Sequence, residues 1–276
     1  MTDVPRVTLA NGVEMPTLGL GTSPLSDADT EVMVHAALTT GYRLIDTAEN
    51  YRNEEGVGRA IRSSDVDRHD VFVTTKFNRR WHGVDEAQEA CANSLERLGL
   101  DRIDLLLIHW PNPQQDRYVD AWRGMQTLLA DGRVRAIGVS NFKPSHLERL
   151  AAETGVMPHV NQIQLDPRIG RAAERAYHAE HGIVTESWSP LSASGDVLSE
   201  PALAPIADAH GKSPAQIVLR WHLQHDLVVI PRTSKAERLP ENLDVFDFTL
   251  TDDEMAAIDA LDRSGEGAVD SDRFGH

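Results

Sequence analysis

A tyrosine, a lysine, an aspartate and a histidine stand where they can act together on a carbonyl group. Asp46 ends the run Arg43-Leu44-Ile45, Lys76 follows Val71–Thr75, and His109 follows Leu105-Leu106-Leu107-Ile108. Tyr51 lies a few residues beyond Asp46, close enough to fold back over that strand end. A phenol titrates near pH ~10, and an ammonium beside it favours the phenolate and lowers that value. A phenol tuned in this way gives a proton to a carbonyl oxygen and takes it back in the reverse direction. Asp46 pairs with Lys76 from the neighbouring strand and keeps the ammonium charged and fixed. His109 supplies a second hydrogen bond to the oxygen. This set stabilises an alkoxide forming at a carbonyl and contains no obvious hydrolytic nucleophile.

These residues need elements that bring them together. Short β-rich runs alternate with longer stretches of helical period. The strand candidates are Leu18–Gly21, Arg43–Asp46, Val71–Thr75, Ile103–Ile108, Arg135–Val139, His159–Gln164, Val184–Ser187 and Val228–Ile230. Helix candidates lie near Asp29–Thr39, Glu54–Ile61, Val84–Leu98, Tyr118–Leu129, Lys143–Ala152, Arg171–His181, Ser213–Gln224 and Asp252–Leu261. Ser213-Pro214 reads as a helix cap followed by proline at the first helical position, and Thr251 with Glu254 has capping-box spacing. The alternation implies a parallel sheet, and about eight strands close a (β/α)₈ barrel of about 250 residues. An open doubly wound sheet is the rival. At 276 residues the chain fits one barrel domain over 1–276. An N-terminal hairpin (7–15) is signalled by Asn11-Gly12, and the polar tail 262–276 is either a loop over one mouth or a frayed end.

In such a barrel all strand ends face one mouth, where active sites of this architecture lie. Ser140-Asn141, Gln162 and Gln164, Trp188-Ser189 and Arg232-Thr233 join Asp46, Lys76 and His109 there. Each alone has a bland explanation as a cap, a turn former or a bonded core residue. Gathered at one face they argue for a site, because buried polar groups are costly unless they serve one another.

The chain carries 27 basic and 43 acidic side chains, a net charge of -16. Nucleic acid and anionic membrane surfaces are therefore not expected partners. The lone cysteine, Cys91, cannot form an internal disulfide and reads as a small buried hydrophobe. The N-terminus has no secretory pattern and no run is long enough for a membrane span, so a cytoplasmic location is expected.

The stretch from Gly41 to Tyr51, Leu105–Pro111, Val139–Phe142, Asn161–Gln164, Trp188–Leu191 and Ile230–Thr233 together resemble the aldo-keto reductase family, in order along most of the chain. The likeness is greatest to the prokaryotic 2,5-diketo-D-gluconate reductase-like branch. The resemblance implies a (β/α)₈ barrel, a tetrad of Asp46, Tyr51, Lys76 and His109, and NADPH as the hydride source for a small dicarbonyl or keto-sugar substrate. Tyr51 would be the general acid. Trp188 would stack on the nicotinamide, and Ser140, Asn141 and Gln162 would hold its carboxamide. Gly21, Thr22, Asp46, Ser189, Leu191 and Ile230 belong to the same cofactor segments. Arg232, Thr233, Ser234 and Arg238 would read the 2′-phosphate, with Glu241 and Asn242 on the adenine side. A monomer is also implied.

The likeness has departures. Arg232 stands where the family usually has lysine, and Asn78 where relatives often carry an aromatic. Ser23 replaces a common bulkier residue. Trp81, Trp110 and Asn78, beside Tyr51 and His109, are candidates for the substrate wall, and Phe274 and His276 for residues reaching in from the tail. Other readings are a Rossmann dehydrogenase, a metal-dependent barrel hydrolase and a catalytically silent NADPH-binding regulatory subunit. Gly19-Leu20-Gly21 lacks the third glycine that the first needs. No His-x-His occurs, and His222, His225, His178 and His181 lie far from the expected mouth, which disfavours the second.

Overall fold

The computed structural model describes residues 4–276. The chain opens with an antiparallel hairpin, β1 (Arg6–Thr8) and β2 (Glu14–Pro16), with Val7 opposite Met15. Gly12 at φ +83° supplies the left-handed turn position. Both strands are displaced by one residue from the expected ones. Leu9 and Val13 are spent on the turn, where Leu9 N–H donates to Val13 O at 2.9 Å.

Eight parallel strands follow: β3 (Leu20–Gly21), β4 (Leu44–Asp46), β5 (Phe72–Phe77), β6 (Ile103–Ile108), β7 (Val134–Ser140), β8 (Val160–Gln164), β9 (Val184–Trp188) and β10 (Val228–Val229). Each pairs with the next in chain order. The ring is completed by parallel bridges from Leu18 to Val229 and from Gly21 to Arg232. That order and that closure decide for the barrel over the open doubly wound sheet, whose strand order reverses.

Helices surround the ring: α1 (Asp27–Thr40), α2 (Glu54–Ser63), α3 (Val84–Leu98), α4 (Tyr118–Ala130), α5 (Pro144–Thr154), α6 (Ala172–Glu180), α7 (Leu203–His210), α8 (Pro214–Gln224), α9 (Arg238–Leu243) and α10 (Asp252–Asp259). The capping boxes at Ser213 and Thr251 form as expected. Helices α7 and α9 carry Pro205 and Pro240 within their first turns, where a missing N–H breaks no intrahelical bond. The sequence reading contains neither helix.

Side chains alternate between two apolar layers. Leu106 and Ile108 of β6 face outward and share a core with Cys91 and Leu95 of α3. Leu105 and Leu107 face inward with Leu44, Phe72, Ala136 and Val160. Leu9 and Met15 of the hairpin join this inner cluster and close the barrel at its N-terminal end. Each such side chain contributes roughly 1.5–3 kcal/mol on burial. The opposite mouth remains open, and the polar strand ends line it. Among the described residues no helix is long and apolar enough to cross a membrane.

Candidate active site

The inner ring changes from apolar to polar toward its C-terminal end. Lys76 is wholly buried within β5, one residue before the strand ends. Its ammonium donates to Asp46 Oδ1 at 2.7 Å and to Thr47 O at 3.0 Å, and stands 3.5 Å from the Tyr51 hydroxyl oxygen. A 3₁₀ turn, Glu49–Tyr51, folds the phenol back over the mouth. An ammonium only donates. The Tyr51 oxygen therefore accepts from Lys76 and directs its own proton elsewhere. His109 follows β6, and its ring centre lies 5.8 Å from that of Tyr51. Its Nδ1 is buried without a partner.

Burial governs the electrostatics here. It raises the Tyr51 pKa above the usual phenol value; Lys76 opposes this and Asp46 adds to it. Lys76 does pull the phenol downward as expected, but removal from water outweighs it, so the net shift is upward and Tyr51 keeps its proton at neutral pH. Burial also pushes Asp46 above the usual carboxylate range, against the pull of Lys76. For Lys76 burial acts downward, but Asp46 and Tyr51 together carry it above the usual lysine value. Burial, with Lys76 and His276, holds His109 well below the usual imidazole value, so the ring is neutral.

A cavity of about 530 Å³ opens beside this group. Trp188, at the end of β9, forms part of its wall, and its Nε1 donates to Asn141 Oδ1 at 2.9 Å. Asn141 takes the left-handed conformation, φ 64°, and its Nδ2 donates to His109 O and to Ser140 Oγ. The Ser140 hydroxyl donates in turn to Gln162 O at 2.9 Å. This network locks the indole in place. Arg232 and Arg238 also line the cavity, with Thr233 and Ser234, and neither arginine has an acidic partner among the described residues. Gly21, Ser189, Leu191, Ile230 and Trp110 also reach the wall.

Several expected residues lie off it. Thr22 is buried beneath, its hydroxyl on Asp46 O. Glu241 accepts from Ser213, and Asn242 is buried against Tyr42. Asn78 bonds Glu49 and Asn50 and faces an adjoining cleft that shares Tyr51 and His276 with the main cavity. Trp81 lines neither space: its Nε1 donates to Glu49, and the Arg80 guanidinium covers its ring at 4.7 Å.

Other parts of the wall carry no signal in the reading above. The small residues Ser192–Gly195 border the cavity. Ser192 and Ser194 donate to Asp196 Oδ1 at 2.7 and 2.6 Å, and Arg168 ties Asp196 to Glu200. Those hydroxyls and then Arg168 hold the Asp196 carboxyl below its usual range. A run of small polar residues directly after a barrel strand is the available clue, since such loops carry function in this architecture. Glu186, buried inside β9 and not on the wall, is also absent from the expected set.

The tail closes one side of the mouth. Val269 N–H donates to Gln164 Oε1 at 2.9 Å, Lys143 holds Asp270 and Asp272 at 2.7 and 2.5 Å, and His146 meets Asp272 at 3.0 Å. Phe274 packs edge-on to Trp110 at 4.9 Å, and His276 to His109 at 4.7 Å. Among the described residues no cluster of His, Cys, Asp and Glu is arranged to hold a metal ion. His222 bonds Val218 O and Leu165 O, as a core histidine does.

Comparison with known proteins agrees with this geometry. A family model described as "Aldo/keto reductase family" matches residues 15–263. An aldo-keto reductase of Mycolicibacterium vanbaalenii is 51% identical over 271 residues, 98% of this chain and 97% of that protein. The 2,5-diketo-D-gluconic acid reductase B of a Corynebacterium species is 48% identical, covering 95% of each chain. Among solved structures, the NADPH complex of a Gox0644 variant superposes with a TM-score of 0.93 at 43% identity, covering 98% of each chain.

Proposed function

The chain belongs to the aldo/keto reductase family, and from that premise we propose that it reduces small dicarbonyl or keto-sugar compounds with Tyr51 as the proton donor. It is an NADPH-dependent oxidoreductase acting on carbonyl groups. One observation carries the finer reading: a phenol stands 3.5 Å from a buried ammonium, at the edge of a cavity that the His109 imidazole shares.

The donor set fits NADPH. Trp188 offers a fixed flat face for stacking. Asn141 and Ser140 spend their donors on each other and on the barrel, while Gln162 Oε1 accepts from no described residue and can take a carboxamide N–H. On a chain of net charge -16 the unpaired Arg232 and Arg238 suit a phosphate, which arginine grips with two parallel hydrogen bonds. Bound NADPH supplies a hydride to the carbonyl carbon.

The chain's own groups then manage the oxygen. Tyr51 gives its proton as negative charge develops there, and His109 donates its single N–H to the same atom. Lys76 stabilises the phenolate that remains, and Asp46 holds Lys76 charged. Trp110 and His276 form an aromatic wall for the substrate, with Phe274 packed on Trp110 but not on the wall itself. Cavity, acid and tail come from one chain, which supports action as a monomer; a cytoplasmic setting belongs to the same proposal.

NADPH oxidation against a panel of aldehydes, ketones and dicarbonyls, methylglyoxal included, tests the activity. Turnover is expected; tight NADPH binding without turnover on any member would leave a silent binding module. Arg232→Ala is expected to weaken NADPH by roughly tenfold and NADH by less than about twofold. Equal losses would mean that Arg232 does not read the 2′-phosphate. Removing Phe274–His276 is expected to raise KM for a small dicarbonyl roughly 3- to 10-fold. NADPH affinity should hold, because the deletion leaves Arg232, Arg238 and Trp188 in place. An unchanged KM would place the substrate elsewhere.

A further inference from the structure

The chemistry above leaves a buried acid of the barrel interior, Glu186, without a task. Glu186 lies inside the barrel on β9, wholly buried, in register with Gln162 on β8 and Val228 on β10. Its Oε2 accepts from Gln162 Nε2 at 2.8 Å, and the same nitrogen donates to Asp46 Oδ2 at 2.9 Å. An amide nitrogen carries two N–H donors, and both are thus spent on carboxyl oxygens. The amide can lie only one way round, with nitrogen toward the acids. Its oxygen, which accepts from no described residue, is left for the cavity that Gln162 lines.

The surroundings of Glu186 also select its ionisation state. Its Oε1 is sealed without a partner. The charged and titratable groups facing it are Asp46, Lys76 and Tyr51, and Lys76 is already engaged by Asp46 at 2.7 Å. A second carboxylate there would be buried beside a like charge, with one hydrogen bond and no cation of its own, which is the costlier state. Burial first, and Asp46 next, push the Glu186 carboxyl up to about 8. It is therefore a neutral acid at neutral pH. When it ionises, its negative charge opposes ionisation of Tyr51.

We propose that Glu186 is a positioning residue: its carboxyl, bonded to Gln162 Nε2 across the β8–β9 pair, holds the amide with its oxygen toward the cofactor carboxamide. This rests on the roles given above to Gln162 and Tyr51. Asp46 accepts from Lys76 on Oδ1 and from Gln162 on Oδ2, so Glu186 is the second of two acceptors that turn the Gln162 nitrogen away from the cavity.

Two variants separate this role from simple core filling. Glu186→Gln keeps an acceptor for Gln162 and cannot ionise. Glu186→Leu keeps a similar volume and removes the acceptor. Dissociation constants are measured for NADPH and for adenosine 2′,5′-bisphosphate, which lacks the nicotinamide, together with kcat from about pH 6 to about pH 9.5. Glu186→Leu is expected to weaken NADPH roughly tenfold and leave the bisphosphate unchanged, and Glu186→Gln to bind both as the parent does. The parent's kcat should fall as pH rises through about 8, and that of Glu186→Gln should stay level there. Parent-like NADPH binding by Glu186→Leu, equal loss of both ligands, or a persisting fall near that pH in Glu186→Gln would overturn the proposal. If Glu186→Leu does not fold, the Glu186→Gln profile decides. The binding comparison is independent of Tyr51, so a failure of the Tyr51 role shows separately as activity in a Tyr51→Phe variant.

Discussion

Tyr51→Phe is expected to lower kcat for carbonyl reduction by about 10³-fold while changing the NADPH dissociation constant by less than about twofold; general acid catalysis contributes about 10²–10⁴. Phenylalanine keeps the ring that packs edge-on to His109 at 5.8 Å and loses only the hydroxyl. Lys76 keeps its bonds to Asp46 and Thr47 O, so the buried pair survives. The phenol's raised pKa supports its place as the acid rather than the base at neutral pH, since burial keeps the proton on oxygen. Steady-state kinetics with a dicarbonyl and a fluorescence titration of NADPH read both quantities. Loss of activity and of binding in parallel would make Tyr51 a structural residue instead.

Lys76→Met is expected to damage both activity and fold. On the proposed mechanism it removes the charge that would stabilise the Tyr51 phenolate, and it leaves Asp46 buried without a cation. Breaking such a pair costs about 3–5 kcal/mol, and the effect on kcat should lie near that of Tyr51→Phe. The pH dependence follows from the direction of each shift. In the parent, the Lys76 pKa is raised, so its charge stabilises the fold through neutral pH and that contribution is lost only as the pH rises past the folded value. In Lys76→Met, burial acts on Asp46 with only the Gln162 hydrogen bond against it and raises it further, so the folded state binds the extra proton and stability falls as pH rises. Denaturant unfolding should therefore show a smaller deficit near pH ~5 than near pH ~7. Adding Asp46→Asn should recover most of the stability and none of the activity. A stable, active Lys76→Met variant would refute the role of the pair.

The fold was readable where side-chain alternation and caps are strong. Leu105-Leu106-Leu107-Ile108 announces β6, and Ser213-Pro214 announces α8, each close to where it forms. The strand ends then placed Asp46, Lys76, His109, Asn141 and Trp188 on one rim without any coordinates. What could not be read depends on depth and direction. Trp81 follows the lysine strand closely, but the 3₁₀ turn Arg79–Trp81 swings its indole onto Glu49. The Tyr51 shift depends on how far water is excluded, which spacing along the chain does not encode. Glu186 lies mid-strand between Thr185 and Ser187, where a carboxyl reads as solvent-facing until closure of the ring turns it inward. The prolines in α7 and α9 hide helices because only their position in the first turn makes them harmless.

The most direct test supplies methylglyoxal and NADPH deuterated at both nicotinamide C4 positions, then reads the mass of the alcohol formed. The parent protein should yield an alcohol carrying one carbon-bound deuterium, and Tyr51→Phe almost none over the same interval. Unlabelled alcohol from the parent, or labelled alcohol formed equally fast without the Tyr51 hydroxyl, would contradict the account.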